Sequence, residues 1–267
     1  MSKRSLFALG LLAMLLLSGC GSKSSWENEE VSEVSHRLME DDVKAEWTID
    51  GNGDDGTKRI RVVIAAKDGG TIDDFDVNHE KLLHLMVVSK DLSYFRHIHP
   101  EYLGNGVFEI ENRFPFGGEY RLIADFKPTD GDAMNKMAWV TVDGKTAKAV
   151  PVTPDQRLDR TVDGLRVSLT INPPASGKDV TLRYAITDAA TGKAVTDLEP
   201  YLGAIGHVVV LTEDGERYLH VHAEEGQGTG PVAVFETRFP APGIYKIWAQ
   251  FQRNGEVVTV PFVTRIS

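Results

Sequence analysis

From residue 43 onward the chain alternates short apolar runs with turn residues. The runs carry Val, Ile, Tyr and Phe, frequently at every second position, and Gly, Asp, Asn or Pro stands between them. Period-two alternation marks strands with one buried face. The pattern predicts strands over 44–50, 58–66, 82–89, 94–99, 107–113, 119–126 and 137–143. It predicts a second set over 164–171, 179–187, 206–212, 217–222, 232–238, 244–251 and 257–265.

The two sets are copies. HLMVVSKDLSYFRHIHPE begins at His84 and HVVVLTEDGERYLHVHAE at His207, with His at relative positions 1, 14 and 16 and Glu at 18 in both. FPFGGEYRLIADF from Phe114 aligns with FPAPGIYKIWAQF from Phe239. RIRVVIAA (59–66) aligns with VTLRYAIT (180–187), and EWTID (46–50) with SLTIN (168–172). A repeat of about a hundred residues is of domain size. Repeat one is placed at 43–145, a Pro-containing linker at 146–159, and repeat two at 160–267. Seven short strands per repeat predict an all-β chain of two tandem immunoglobulin-like antiparallel β-sandwich domains. Cupredoxin-like barrels are the alternative. Tyr120 and Tyr245, each two residues after a Gly, resemble the corner tyrosine of immunoglobulin-like domains.

The N-terminal pattern is different. Lys3 and Arg4 precede thirteen nearly all apolar residues, 5–17, and then Leu17-Ser18-Gly19-Cys20. The apolar run is shorter than the ~20 residues a spanning helix needs and has the length of a signal-peptide core. The following four residues resemble a bacterial lipobox, so residues 1–19 are expected to be a cleaved signal peptide and Cys20 the lipidation site. Residues 20–42 read as an acidic tether, helical in part around 26–40. The expected location is the outer face of the cytoplasmic membrane, or a periplasmic or outer-membrane lipoprotein.

Cys20 is the only cysteine, so no intramolecular disulfide staples either repeat. The formal charge is −10, and loss of Lys3 and Arg4 takes it to −12. An acidic body disfavours nucleic acid and anionic lipid. The membrane is therefore expected to be reached through acyl chains.

Candidate chemistry lies in the two histidine triplets. A turn at Asp214-Gly215, read as type I′, sets His207 opposite His222 with His220 on the same face. A turn at Asp91-Leu92 likewise sets His84 opposite His99, and His97 opposite Met86. Glu101 and Glu224 follow on the same side. Imidazoles clustered on one hairpin are ligands for copper or zinc, one ion per repeat, and the Met86 thioether would favour Cu(I). The competing reading is a structural histidine network closed by hydrogen bonds. Both faces of the hairpin are equally apolar, so the pattern leaves both readings open.

The HLMVVSKDLSYFRHIHPE and FPFGGEYRLIADF stretches resemble YtkA-like domains of bacterial lipoproteins and secreted proteins. That resemblance implies a sandwich outside the membrane and a link to copper handling. A looser similarity, in fold and ligand chemistry, is to periplasmic copper-binding sandwiches of the CopC type. Ala223 stands where the His-x-His-Pro element of repeat one has Pro100. No nucleophile elbow or phosphate loop is present, so no enzyme activity is expected. Two function classes follow: a membrane-anchored metal binder, or a non-enzymatic envelope module that docks another envelope protein or wall polymer.

Overall fold

The computed structural model describes residues 37–51 and 56–267. The signal segment, Cys20 and all but the last residues, 37–40, of the expected tether helix lie outside them. Repeat one contains β1 (Val43–Asp50), β2 (Thr57–Ala66), β3 (Phe75–Asp76), β4 (Leu83–Ser89), β5 (Phe95–Ile98), β6 (Glu101–Gly104), β7 (Val107–Arg113), β8 (Gly118–Pro128) and β9 (Met134–Val142). Repeat two contains β10 (Asp159–Val162), β11 (Leu165–Asn172), β12 (Asp179–Asp188), β13 (His207–Thr212), β14 (Tyr218–Leu219), β15 (His222–Ala223), β16 (Val232–Arg238), β17 (Gly243–Arg253) and β18 (Glu256–Ile266). A 3₁₀ turn at Glu40–Asp42 leads into β1. Among the described residues no helix is long and apolar enough to cross a membrane.

Each repeat is an immunoglobulin-like sandwich of two antiparallel sheets. One sheet runs β1-β2-β7-β6 in repeat one and β10-β11-β12-β16-β15 in repeat two. The other joins β5, β4, β8 and β9 in repeat one, and β14, β13, β17 and β18 in repeat two. Alternation along the strands builds each core. Leu85, Val87, Leu122 and Phe126 meet Ile60, Val62 and Phe108 in the first. Val208, Val210, Ile247 and Phe251 meet Val167, Leu182 and Phe235 in the second. The corner tyrosines close the turns before β8 and β17: Tyr120 Oη–H donates to the Phe116 carbonyl (2.6 Å) and Tyr245 Oη–H to that of Ala241 (2.7 Å).

The equal apolarity of the two hairpin faces has a direct cause. All seven residues of β4 are buried. Leu83, Leu85 and Val87 face their own core, whereas Met86 and Val88 face the second repeat. Val209, Leu211 and Trp248 answer from repeat two, joined by Leu92 and Ile123. Phe95 stacks on Trp248 with centroids 4.6 Å apart. Each large side chain removed from water here stabilises by ~1.5–3 kcal/mol, so the repeats are fastened sheet against sheet. Glu216 reinforces the junction by accepting from Trp139 Nε1 (2.7 Å) and Arg121 Nη2 (3.1 Å).

Two expectations need correction. The predicted strand 217–222 is two pieces. β14 pairs with β13, but β15 pairs with β16 in the opposite sheet. The Asp214-Gly215 turn preserves the expected register, Val210 opposite Leu219. It is not type I′, because only Gly215 of the pair has positive φ (72°). Asp214 instead uses its carboxylate to accept from Thr212 Oγ1 and the Glu216 amide.

Candidate metal centre

β4 presents His84 toward the junction, two residues before Met86, and it is 2% exposed. Its cross-strand neighbour on β8 is Asp125, as Gln250 on β17 is the neighbour of His207 on β13. Gly206 makes that last approach possible, since a Cβ there would stand 2.6 Å from the Gln250 carbonyl. His97, on β5, lies in register with Met86. His99 follows β5 where the chain turns toward the opposite sheet at Pro100.

Four rings gather. The His84 centroid lies 5.2 Å from His97 and 5.1 Å from His99, and His97 and His99 are 4.9 Å apart. His207 stands 4.8 Å from His97 and stacks parallel to His84 at 5.9 Å. One ring nitrogen from each of His84, His97 and His99 lies within 4.8 Å of the others.

The tautomers follow from the acceptors. His84 Nε2–H donates to the Asn78 carbonyl at 2.9 Å. His97 Nδ1–H donates to Gln250 Oε1 at 2.8 Å. Gln250, 4% exposed, is oriented by donating from Nε2 to Thr259 Oγ1 (3.1 Å). Each neutral ring has thus committed its one N–H. The remaining nitrogens, His84 Nδ1 and His97 Nε2, face one another at 3.0 Å. A cation between them would satisfy both lone pairs; with the Gln250 amide reversed, His97 Nε2–H would instead donate to His84 Nδ1. His99 Nε2 and His207 Nε2 are also buried, with no hydrogen-bond partner.

A proton is a poor candidate for that cation. Burial lowers the pKa of His84, holds His97 well below the ordinary imidazole value, and brings His99 to about 4 and His207 to about 3. Neighbouring rings, had they charge, would push His97, His99 and His207 further down. The rings are therefore neutral at pH 7, the form that ligates a metal. Two imidazole nitrogens on a tetrahedral ion at 2.0–2.1 Å stand roughly 3.3 Å apart, close to the His84–His97 spacing. A groove of about 840 Å³ beside His97 and His99, walled by Lys81, Arg96, Tyr201 and Gln250, gives access.

The other expected ligands stand apart from this group. Met86 is fully buried in the apolar junction beneath it. Glu101 is exposed and pairs across from Glu109 in the opposite sheet. The second triplet does not assemble, because β15 has left the hairpin and His222 pairs with Glu236 in the opposite sheet. His220 and His222 are exposed and stacked 6.2 Å apart. His220 Nδ1 lies 3.8 Å from Asp125 Oδ2, which also accepts from Tyr218 Oη–H (3.0 Å). Glu224 is exposed beyond them. Sequence reasoning missed Asn78, Gln250, Asp125 and His79, whose ring stands near both His84 (6.1 Å) and His207 (5.9 Å). A signal for two of these existed: Asp125 and Gln250 are the polar residues at one aligned position within apolar strands.

Fold and site together define a tandem immunoglobulin-like sandwich protein with a histidine-lined junction between its repeats. The chain belongs to the family of the domain of unknown function DUF8832, which matches it twice, over residues 39–144 and 160–267. No curated protein matches it significantly. Among solved structures it is similar to FdeC, an Escherichia coli adhesin, at 16% identity and TM-score 0.29, over 86% of this chain and 65% of that one. Invasin, a bacterial integrin-binding protein, matches at 12% identity and TM-score 0.25, over 85% of this chain. Domains 4 and 5 of the S-layer protein SbsC match at 12% identity and TM-score 0.20, over 82% of this chain and 96% of that one. The chain therefore spans 65% of the FdeC structure and 40% of the invasin structure.

Proposed function

We propose that this protein is a membrane-anchored extracytoplasmic lipoprotein that binds a transition metal ion, copper or zinc, through His84, His97 and His99. The observation that carries the reading is the pair of bare nitrogens, His84 Nδ1 and His97 Nε2, held 3.0 Å apart by hydrogen bonds on the far side of each ring. Such outer hydrogen bonds are how metal-ligating imidazoles are oriented. The anchor rests on the lipobox-like Leu17-Ser18-Gly19-Cys20.

Titration of the full chain with Cu(II) or Zn(II) tests it. One saturable equivalent is expected, lost on replacing His97 and His99 together with Ala. A parent that shows no saturable site refutes metal binding. The second reading, an envelope interaction module with structural histidines, is favoured by the bonds to Asn78 and Gln250. It expects no specific metal uptake and a lowered melting temperature in the double variant.

A further inference from the structure

We infer that the metal centre belongs to both repeats, with His207 of repeat two as the fourth ligand to the ion held by His84, His97 and His99. The inference rests on the metal-binding reading of that triad.

Three imidazoles leave one position on a four-coordinate ion, and the nature of the fourth ligand decides what the site does. Water there makes an open site, whereas a fourth protein ligand makes a closed, structural one. His207 has the required properties. Its ring stands 4.8 Å from His97 and 5.9 Å from His84, just outside the set of nitrogens within 4.8 Å of one another, so that loading would draw it inward. Its Nε2 is buried and has no hydrogen-bond partner, as is true of His99 Nε2. A buried nitrogen without a partner is destabilising, and coordination would remove that cost. The position is not accidental to the fold. His207 pairs with Gln250, and the Gln250 side chain accepts from His97 Nδ1. The same rung of repeat two thus orients a ligand from repeat one and offers one of its own.

The ion then has a mechanical role. It would link β4 and the end of β5 in the first sandwich to β13 in the second, at the margin of the apolar junction formed by Met86, Val88, Val209 and Trp248. Loading would fix the two sandwiches on each other. Four nitrogen ligands without thiolate suit Cu(II) or Zn(II).

Co(II) alone, titrated into the full chain, tests the assignment. Four-coordinate Co(II) absorbs far more strongly in the visible than five- or six-coordinate Co(II). The parent should bind one equivalent with intense bands. His207→Phe keeps an aromatic ring and removes the ligand. It should shift the bands, as water replaces the fourth imidazole, and weaken binding by about tenfold or more, at least the effect of losing an outer-shell partner. His207→Gln should behave the same way and serves where the Phe variant fails to fold. Bands and affinity unchanged in a folded His207 variant, but lost in His97→Ala, would overturn the shared centre and leave the triad as a three-histidine site. A parent without saturable Co(II) binding would overturn the triad reading and this inference together.

Discussion

Acidification should unlock the junction well before the carboxylates titrate. In the unfolded chain each histidine has a pKa near 6.5. In the folded chain burial holds His99 at about 4 and His207 at about 3. At pH 7 both states are neutral and the difference contributes nothing unfavourable. As pH falls below 6.5 the unfolded state takes up protons that the folded state refuses, so stability is lost progressively until the folded pKa is reached. At pH 5 the gap is about 1.5 units, or about 2 kcal/mol for His207, and less for His99, whose part-exposed ring is screened by solvent. His84 and His97 are shifted the same way and add to the loss. A loss of ~2 kcal/mol or more is a large share of a typical 5–15 kcal/mol. At 2–4 °C per kcal/mol for a chain of this size it lowers Tm by about 5 °C or more. The assay is thermal denaturation by circular dichroism in chelator, at fixed ionic strength, between pH 7.5 and 5. Asp76, Asp91, Asp159, Asp188 and Asp214 have lowered pKa values, so their stabilisation is lost only below about pH 4 and lies outside the window. A Tm that stays level from pH 7 to 5 would refute the claim that these rings are buried and neutral.

Further outcomes are expected. Trp248→Ala removes the partner of Phe95 at the junction. It should cost ~3–5 kcal/mol and resolve one calorimetric transition into two. Tyr245→Phe deletes the bond to the Ala241 carbonyl and should lower stability by about 1 kcal/mol in urea unfolding, with no change in metal stoichiometry. Residues 160–267 alone should melt cooperatively, since one core lies within them. With Val209, Leu211 and Trp248 uncovered the fragment should also self-associate in gel filtration. Cys20→Ala should appear in the soluble fraction after membrane preparation, and a variant that stays bound would end the lipid-anchor assignment.

The strands and hairpin registers were legible because they are local. Alternation located β4 and β13, and the two turns correctly set Leu85 opposite Ile98 and Val210 opposite Leu219. The destination of His207 was not legible. It depends on how one hairpin packs against its copy, and nothing in either hairpin alone encodes that meeting. The clue was present in disguise. A strand apolar on both faces is covered on both, and β4 and β13 each look to a core on one side and to the other repeat on the opposite side. The exit of β15 to the far sheet was hidden for another reason. Val221 and Ala223 suit either sheet, and only tertiary pairing with Phe235 and Glu236 decides between them.

The reciprocal reach across the junction, His97 to Gln250 and His220 toward Asp125, gives the molecule the form of a dimer whose halves share one polypeptide. In a dimer of identical chains every change at such a place is made twice. Fusion releases that constraint. Here one half has an amide at the shared position and the other a carboxylate, with Oδ1 of Asp125 buried and unpartnered. Gln250 holds the ring of His97, while Asp125 stands across from His84 and near the exposed His220. The two copies are thus alike in strand order and unlike in the polar groups they bring to the seam.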